Sequence, residues 1–242
     1  MDNEAGDADI ATVARLLGDA TRATFCMVLI DGRWRTAGEL ARAAGVAPST
    51  ASDHLSQLVT GGLLEVTAQG RHRYFHLASL EVAAAVEALA LVAPGKRVNS
   101  LRQATAAEAL RQGRTCYDHL AGRLGVTITE GLIGRGIITT DWGPGDLSQL
   151  QPLGIPTEFS SSRPLVRPCV DWTERRLHAA GALPAEMTRR LFELVWIERT
   201  DHHRGVRVTA AGRQGLGNLL RVEVATVNVD VDGREVAHLR FA

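Results

Sequence analysis

Between residues 39 and 77, the apolar positions of the chain change their period. Over 39–45 and 48–60 they recur every three to four residues, which predicts two short helices separated by a tight corner. Over 64–67 and 73–77 they alternate with polar residues, which predicts the two strands of a hairpin. Two helices, a corner and a hairpin in this order predict a winged helix-turn-helix, which places its second helix in the major groove of DNA.

The second predicted helix has an apolar side and a polar side. Ala51, Leu55 and Leu58 follow the helical period and are expected in the core. The other positions carry polar side chains of the kind that contact phosphates and base edges, and the hairpin brings basic side chains to its tip. The candidate DNA-binding residues are Ser49, Thr50, Ser52, Asp53, His54 and Gln57 on the helix, and Arg71, His72 and Arg73 on the wing.

This unit resembles the ArsR (arsenical-resistance regulator) family of bacterial winged-helix repressors, over roughly residues 8–92. The resemblance lies in the run EL-AxxxGV-xxSTxSxHLxxLxxxGLL-xxxxxGRxxYxxL. It implies a homodimer that binds palindromic operators and is released by inducers. It also implies that Ser52 and His54 belong to the recognition helix, and that the wing contains Gly70, Arg71 and Tyr74.

The chain departs from the family pattern in two places. Asp53 stands where an Arg or Gln is common; because an acid repels phosphate, the family's operator preference does not carry over. Metal-sensing members carry a Cys-x-Cys box on the first of these helices, whereas residues 39–44 here contain no such ligand. Residues 79–93 likewise lack paired His and acidic ligands. The family's best-known metal sites are therefore absent from this sequence.

Composition favours a cytoplasmic protein of two domains. The 242 residues exceed one typical domain, and the acidic residues near the N-terminus do not resemble a signal peptide. No apolar run is long enough to span a bilayer, so no membrane partner is expected. The net charge of +0 is unusual for a DNA-binding protein, but a dimeric regulator needs only a local basic surface. Three cysteines argue against a disulfide framework.

The domain boundary is expected near Pro94 and Gly95, which break a strongly apolar helical pattern at 79–92. A helix this apolar must be buried, either under its own domain or against a second subunit, and we favour a homodimer. The predicted domains are 1–93, for DNA binding and dimerisation, and 100–242, for sensing an effector.

The C-terminal half partly repeats the N-terminal motif. Residues 120–126 match 40–46 at a fixed offset, and 133–138 echo 59–64 with a shorter second helix between. Residues 222–241 alternate as a hairpin does, with Asp232-Gly233 as its turn. We therefore expect a mainly α fold with small β-wings (α+β). It comprises an N-terminal winged helix-turn-helix, a C-terminal domain of winged-helix-like halves at 101–158 and 159–220, and a terminal β-hairpin.

Two segments of the C-terminal half, 114–120 and 168–178, carry further chemistry. Cys116 and His119 stand three apart on a predicted helix and can face one side. If the segments meet, Cys169 and His178 complete a set that suits zinc or another soft divalent ion, with Asp171 as a further or substitute ligand.

Two alternatives to a metal site remain open for these residues: a thiol switch between the cysteines, or plain packing of buried thiols and imidazoles. A small organic effector is a third form of signal. Its pocket would be lined by aromatic residues and would include an arginine for an anionic group. The residues considered for it are Tyr117, Trp142, Phe159, Trp172 and Trp196, with Arg114, Arg175 or Arg176. Cys26 lies among apolar residues and is expected in the core.

The sequence as a whole predicts a sequence-specific DNA-binding transcriptional regulator, acting as a repressor, whose C-terminal domain responds to a signal. The signal is a small organic ligand, a metal ion or thiol oxidation. No nucleophile elbow, phosphate-binding loop or paired-carboxylate motif is found in the sequence, so an enzyme is not expected. The alternative is a non-DNA interaction protein or an enzyme built on winged-helix modules.

Overall fold

The computed structural model describes residues 7–95, 99–201 and 204–221, together with the backbone of 223–229 and 235–240. The chain divides into two compact units, Met1–Val86 and Glu87–Ala242. The division falls inside a helix, so that the two ends of this helix belong to different units. The boundaries predicted from the sequence, 1–93 and 100–242, stay a prediction.

The first unit combines helices with one antiparallel sheet. Its helices are α1 (Ile10–Leu17), α2 (Ala20–Leu29), α3 (Ala37–Ala44) and α4 (Pro48–Thr60), and α5 (Leu80–Val92) crosses the division. Its strands are β1 (Arg35–Thr36), β2 (Leu64–Gln69) and β3 (His72–Leu77), in the spatial order β1-β3-β2. The helices α3 and α4 and the β2–β3 hairpin are the predicted winged helix-turn-helix.

The start of α3 lies two residues before the predicted one because a capping box sets it. The Thr36 hydroxyl accepts a hydrogen bond from the Glu39 backbone, and the Glu39 carboxylate accepts one from the Thr36 backbone at 2.8 Å. These two bonds satisfy backbone donors that a helix start otherwise leaves free. The helix ends at Gly45, whose φ of 67° is the left-handed conformation that glycine adopts without strain. Pro48 then occupies the first turn of α4.

The apolar stripes of these elements meet in one core. Cys26 is fully buried there, as predicted, and burial raises the pKa of its thiol to about 12. Such a cysteine is a small apolar packing residue rather than a reactive thiol. The largest fully buried side chains of this unit are Phe25, Leu29, Ile30, Leu40, Leu55, Leu58 and Leu77.

The second unit is a series of two-stranded hairpins and helices. The described elements are α6 (Leu101–Gln112), β4 (Arg114–Cys116), β5 (His119–Ala121), α7 (Gly122–Gly134), a 3₁₀ helix (Leu147–Leu153), β6 (Arg167–Val170), β7 (Leu177–Ala180), α8 (Ala182–Glu193), β8 (Ile197–Arg199), β9 (Val206–Val208), α9 (Ala210–Leu220), β10 (Glu223–Val229) and β11 (Glu235–Arg240). Four antiparallel hairpins result: β4–β5, β6–β7, β8–β9 and β10–β11.

Within this unit one motif occurs twice. The hairpin β4–β5 leads directly into α7, and the hairpin β6–β7 leads directly into α8. Both copies read Arg-x-Cys on the first strand and His-x-Ala-Gly-x-Leu from the second strand into the helix. The helix of each copy packs against the second strand of the other copy, and β5 packs beside β7. The two copies therefore form the centre of the unit together.

This repeat is not the one predicted from the sequence. Leu40 lies inside α3 whereas its predicted counterpart Leu120 lies in strand β5, so the match at a fixed offset does not join equivalent positions. The short second helix expected before residue 133 is also wrong, because α7 runs without interruption. The order α8, β8, β9, α9 does agree with the helix, hairpin and closing helix predicted for 183–220.

The terminal hairpin is confirmed by its backbone pairing, in which Glu223 lies opposite Arg240. Its predicted turn at Asp232-Gly233 lies outside the described residues. Among the helices that the structure describes, none is both long and apolar enough to cross a membrane. With its helices and small sheets, the molecule has the predicted α+β class.

Gly122 joins the first hairpin to α7 in a conformation that tolerates no larger side chain. Its φ is 74°, and an added Cβ would lie 2.6 Å from the Arg111 carbonyl oxygen. We expect Gly122→Ala to destabilise the second unit by about 1–3 kcal/mol more than Gly136→Ala, because only the first adds a steric clash. Gly136 is the matched control, since its φ is 66° but an added Cβ would meet nothing within 4 Å. Urea unfolding followed by circular dichroism measures the difference, and equal losses would contradict the close approach.

Candidate nucleic-acid interface and candidate metal centre

Helix α4 presents a polar face over a buried apolar one. Ala51, Leu55 and Leu58 are fully buried or nearly so, as predicted. The polar positions between them lie at the surface of this unit, where the base edges and phosphates of a DNA major groove can contact them. The exposed candidates are Ser49, Thr50, Ser52, Asp53 and Gln57.

His54 is placed differently from the other candidates on α4. It is half-buried, and its Nδ1 lies 3.3 Å from a guanidinium nitrogen of Arg22 and 3.6 Å from a carboxylate oxygen of Asp19. The same Arg22 nitrogen donates to the Gln57 side-chain oxygen at 2.8 Å. Because Arg22 and Asp19 belong to α2 and its N-cap, these contacts hold α4 against α2. His54 thus fixes the angle of α4 rather than extending from its exposed face.

Asp19 has a second role, since its carboxylate caps α2. It accepts hydrogen bonds from the backbone of Thr21 at 2.9 Å and of Arg22 at 3.0 Å. The backbone bond from Arg22, together with the nearby charges of His54 and Arg22, lowers the pKa of the Asp19 carboxyl. The start of α2 and the orientation of α4 therefore share one acidic residue.

The wing is a tight hairpin with a basic tip. Gln69 pairs with His72, which leaves Gly70 and Arg71 as a two-residue turn, and Gly70 takes a φ of 59°. The predicted turn was longer, because β3 begins at His72 rather than at Arg73. Arg71, His72 and Arg73 are all exposed. The three basic candidates therefore stand together at the tip, as expected.

The two cysteine-histidine pairs of the second unit lie in the two repeated hairpins. Cys116 is directly opposite His119 across β4–β5, and Cys169 is directly opposite His178 across β6–β7. Directly opposite side chains of an antiparallel pair leave the sheet on the same face. Each hairpin therefore presents one thiol and one imidazole together.

The helix predicted for Cys116 and His119 is wrong. Tyr117 and Asp118 form a two-residue turn, and Tyr117 adopts a φ of 56°, which ends any helical path. A separation of three residues brings side chains together both on a helix and across such a turn. The proximity of the two residues was thus predicted correctly, and the element that creates it was not.

The four side chains meet in one buried cluster. The Sγ atoms of Cys116 and Cys169 are 4.0 Å apart, and the Nε2 atoms of His119 and His178 are 3.2 Å apart. One donor atom from each residue lies within 4.8 Å of every other. Cys116, His119 and His178 are buried, and Cys169 is half-buried. The structure therefore brings together all four residues singled out from the sequence.

Hydrogen bonding distinguishes the two thiols. The bond between them, together with burial, raises the pKa of Cys116 well above its usual value, whereas the same bond lowers the pKa of Cys169 well below it. Burial opposes the charge on His119, but the neighbouring Asp118 and Cys169 side chains raise its pKa. The cluster therefore stabilises a negative charge on the Cys169 sulfur.

Asp171, considered as a further ligand, is engaged elsewhere. Its carboxylate is fully buried and pairs with the Arg114 guanidinium at 2.8 Å. It also accepts hydrogen bonds from the Gly122 backbone at 2.6 Å, from Thr173 at 2.6 Å and from the Glu174 backbone at 2.9 Å. Burial alone raises its pKa, but these partners, with Arg114 foremost, leave it well below the usual value. Asp171 joins the turn of the second hairpin to the first hairpin and to α7.

Most of the residues proposed for an organic effector pocket also have structural partners. Trp142, Phe159 and Trp196 are partly buried and pack against the core of the second unit. The Arg114 guanidinium lies 4.9 Å from the ring centre of Trp172. Arg176 forms an ion pair with Glu130. Trp142, Phe159 and Trp196 therefore serve the core, and Arg114 and Arg176 already neutralise carboxylates.

The repeat of the second unit was missed at the sequence level, although the signal is present. The two copies share Arg-x-Cys, found at Arg114 and Arg167, and His-x-Ala-Gly-x-Leu, found at His119 and His178. An insertion of unequal length separates Cys from His in each copy, two residues in one and eight in the other. A search at a fixed offset cannot align copies whose turns differ in length.

Comparison with known proteins finds similarity to transcriptional regulators across both units. Residues 17–67 match the family described as a helix-turn-helix domain. The chain is 37% identical over 226 residues to the uncharacterized HTH-type transcriptional regulator YdfF of Bacillus subtilis (strain 168), covering 89% of this chain and 99% of that protein. The chain belongs to the HTH-type transcriptional regulators. It is therefore a DNA-binding transcriptional regulator, which confirms the class predicted from the ArsR-type motif and sets the enzyme alternative aside.

Two solved structures resemble part of the chain. One is the homodimeric winged helix-turn-helix domain of Mb0332 from Mycobacterium bovis, a possible ArsR-family regulator, with 29% identity and a TM-score of 0.33 over 36% of this chain and 88% of that chain. Another is the transcriptional repressor BigR from Xylella fastidiosa, with 23% identity and a TM-score of 0.34 over 36% of this chain and 89% of that chain. Each covers about a third of this protein, whereas the match to the Bacillus regulator spans both units.

The Arg114–Asp171 pair makes a strong prediction about stability. Asp171→Asn leaves the buried Arg114 guanidinium without its paired carboxylate, so we expect a loss of about 3–5 kcal/mol in the free energy of unfolding. Glu198→Gln is the control, because its partner Arg207 and Glu198 itself are exposed, and such pairs contribute under about 1 kcal/mol. Urea unfolding at neutral pH compares the two variants. Losses of similar size would show that the buried pair does not hold the hairpins.

Proposed function

We propose that this regulator is a cytoplasmic, homodimeric repressor that binds its operator through α4 and the wing and responds to a signal through its second unit. The observation that carries the proposal is the division of α4 into a buried apolar face and an exposed polar one. The matched helix-turn-helix region, residues 17–67, includes all of α4. Polar side chains on the second helix of such a motif are those that meet base edges.

On α4 we assign base and phosphate contacts to the exposed residues and a positioning role to His54. Ser52 and Gln57 lie on the exposed face; the Gln57 side-chain oxygen accepts the bond from Arg22, so its amide nitrogen is the group we assign to DNA. Ser49 and Thr50 lie in the first turn of α4, where helix N-terminal groups approach the groove first. Asp53 is exposed beside them and favours a base that offers an amine, such as cytosine. His54 supports these contacts by holding α4 to Arg22 and Asp19.

For the wing we assign contacts with the DNA backbone. Arg71, His72 and Arg73 are exposed at a hairpin tip that Gly70 makes tight. Arginine at such a tip pairs with phosphates and adds affinity without selecting a sequence. A local basic surface of this kind also explains how a protein with a net charge of +0 can bind DNA.

A second copy of the chain is the proposed partner of α1. This helix has no buried residue, and its apolar side chains Ile10 and Val13 are 75% and 38% exposed. On α5, Leu89 and Val92 are 48% and 81% exposed. Exposed apolar helix faces are stabilised by association, and the family resemblance assigns the terminal helices to dimerisation. A dimer would also present two copies of α4 to a palindromic operator.

The signal and the direction of regulation form the remaining part of the proposal. The second unit has its own core and its own buried polar cluster. DNA binding by the first unit requires neither of them. We assign the response to that unit, and repression to the whole chain.

Replacing Ser52 and Gln57 together by Ala should weaken operator binding by at least roughly 30-fold, since each of the two lost base contacts costs about 1–3 kcal/mol. The fold should survive, because Arg22 keeps its bonds to the Leu16 and Arg15 carbonyl oxygens. Gel-shift titration with DNA from upstream of the protein's own gene measures the effect at physiological salt. Gln103→Ala, an exposed amide on α6, is the control. Undiminished binding by the double variant would show that α4 is not the recognition helix.

Arg71→Ala should weaken binding to operator and unrelated DNA alike. One lost phosphate contact lowers the slope of log affinity against log salt by about one unit. Arg102→Ala removes one exposed positive charge from α6 and should leave the slope unchanged. The measurement is DNA affinity by fluorescence anisotropy across a range of salt concentrations. A slope identical in wild type and Arg71→Ala would remove the wing from the DNA interface.

A further inference from the structure

The donor cluster has the dimensions of a tetrahedral metal site. With bonds of about 2.3 Å to sulfur and about 2.0–2.1 Å to nitrogen, a tetrahedral zinc ion separates its two sulfurs by about 3.8 Å and its two nitrogens by about 3.3 Å. The Sγ atoms of Cys116 and Cys169 are 4.0 Å apart, and the Nε2 atoms of His119 and His178 are 3.2 Å apart. We propose that Cys116, His119, Cys169 and His178 bind one zinc-type divalent ion.

The repeated hairpins explain why these four side chains converge. Each hairpin supplies one Cys and one His from directly opposite positions, Cys116 with His119 and Cys169 with His178. Since β5 packs beside β7, the second hairpin brings its pair against the first. Two donors from each of two rigid hairpins is an arrangement that holds an ion without a long, mobile loop.

A carboxylate lies beside the outer nitrogen of the His119 imidazole, as is usual for histidines that bind metals. The His119 Nδ1 lies 3.4 Å from an Asp118 carboxylate oxygen, and the other Asp118 oxygen accepts a hydrogen bond from Arg163 at 2.6 Å. A carboxylate on the outer nitrogen fixes the tautomer so that Nε2 offers its lone pair to the ion. The His178 Nδ1 is buried and without a hydrogen-bond partner within the described ranges, so its ring is oriented by packing and by the cluster alone.

The chemistry of the set selects the ion. Two thiolates and two imidazoles in a tetrahedron suit zinc, whereas magnesium and calcium require oxygen ligands. Four protein ligands leave no open position, and three of the four residues are buried, so the site is of the closed, structural kind. Such an ion would join the two hairpins at the centre of the second unit, independently of any contact that the first unit makes with DNA.

A disulfide is the competing use of the two cysteines. A sulfur–sulfur bond is about 2.05 Å long, and Cys116 and Cys169 are free thiols 4.0 Å apart. The two histidines have no role in a disulfide, yet their Nε2 atoms face each other at 3.2 Å within the same cluster. An ion accounts for all four residues, which is why we favour it.

The test uses the full-length protein, reduced, stripped of metal and titrated with Zn²⁺ against a chromophoric chelator. We expect one equivalent of zinc per chain. Cobalt(II) should give the visible absorption of a tetrahedral thiolate site with the same stoichiometry. Removing a residue that only contacts a metal ligand typically lowers metal affinity by roughly 10–100-fold, and Asp118→Asn should fall within that range. Cys169→Ser and His178→Ala each remove a ligand and should lower zinc affinity by more. Cys26→Ala is the matched control, since Cys26 is a core thiol of the other unit, and it should bind zinc as wild type does.

Two further readouts decide the remaining outcomes. Far-ultraviolet circular dichroism of each variant separates loss of a ligand from loss of the fold, and Asp118→Asn keeps all four ligands should the cysteine variants unfold. Thiol counting without reductant detects a disulfide. Folded wild type that binds no zinc after reduction, or Cys169→Ser and Asp118→Asn that bind zinc as tightly as wild type, would overturn the proposal. Because none of these measurements involves DNA, failure here leaves operator binding untouched, and the reverse also holds.

Discussion

One fully buried ion pair, Arg114 with Asp171, connects the two repeated hairpins of the second unit. Burying two charges is costly unless each is fully hydrogen-bonded, and here the Asp171 carboxylate also accepts bonds from Gly122, Thr173 and Glu174. Arg114 in turn donates to the Leu110 carbonyl oxygen and lies against the ring of Trp172. The pair therefore connects β4, the turn after β6 and the first residue of α7.

The position of the donor cluster follows from that constraint. Cys116 is two residues after Arg114 on β4, and Cys169 is two residues before Asp171. Arg114 and Cys116 are two apart on β4 and lie on the same face, and Asp171 follows directly after β6, which carries Cys169. The ion pair and the thiols are therefore placed by the same short segments. The histidines follow because each pairs with a cysteine across its hairpin. A stabilising ion pair and a polar cluster that could hold a metal are thus two consequences of one arrangement.

Local patterns predicted the DNA-binding unit well, because a helix-turn-helix is built from neighbours in sequence. The sequence predicted the buried stripe of Ala51, Leu55 and Leu58 and the basic tip at Arg71. The orientation of His54 was not predicted, since it depends on Arg22, which precedes it by 32 residues. The capping box at Thr36 was readable but overlooked, which moved the start of α3 by two residues.

In the second unit, the four residues of the cluster were predicted correctly, but the elements that carry them were not. Cys116 and His119 sit on a hairpin rather than a helix, because a spacing of three fits both. Asp171 was expected near the thiols as a ligand, but its partner Arg114 is 57 residues away and cannot be inferred from spacing.

The most direct measurement of the proposed metal site is the X-ray absorption spectrum of zinc-loaded protein at the zinc edge. Two sulfurs at about 2.3 Å and two nitrogens at about 2.0–2.1 Å are predicted, and a shell of oxygen and nitrogen without sulfur would contradict the site.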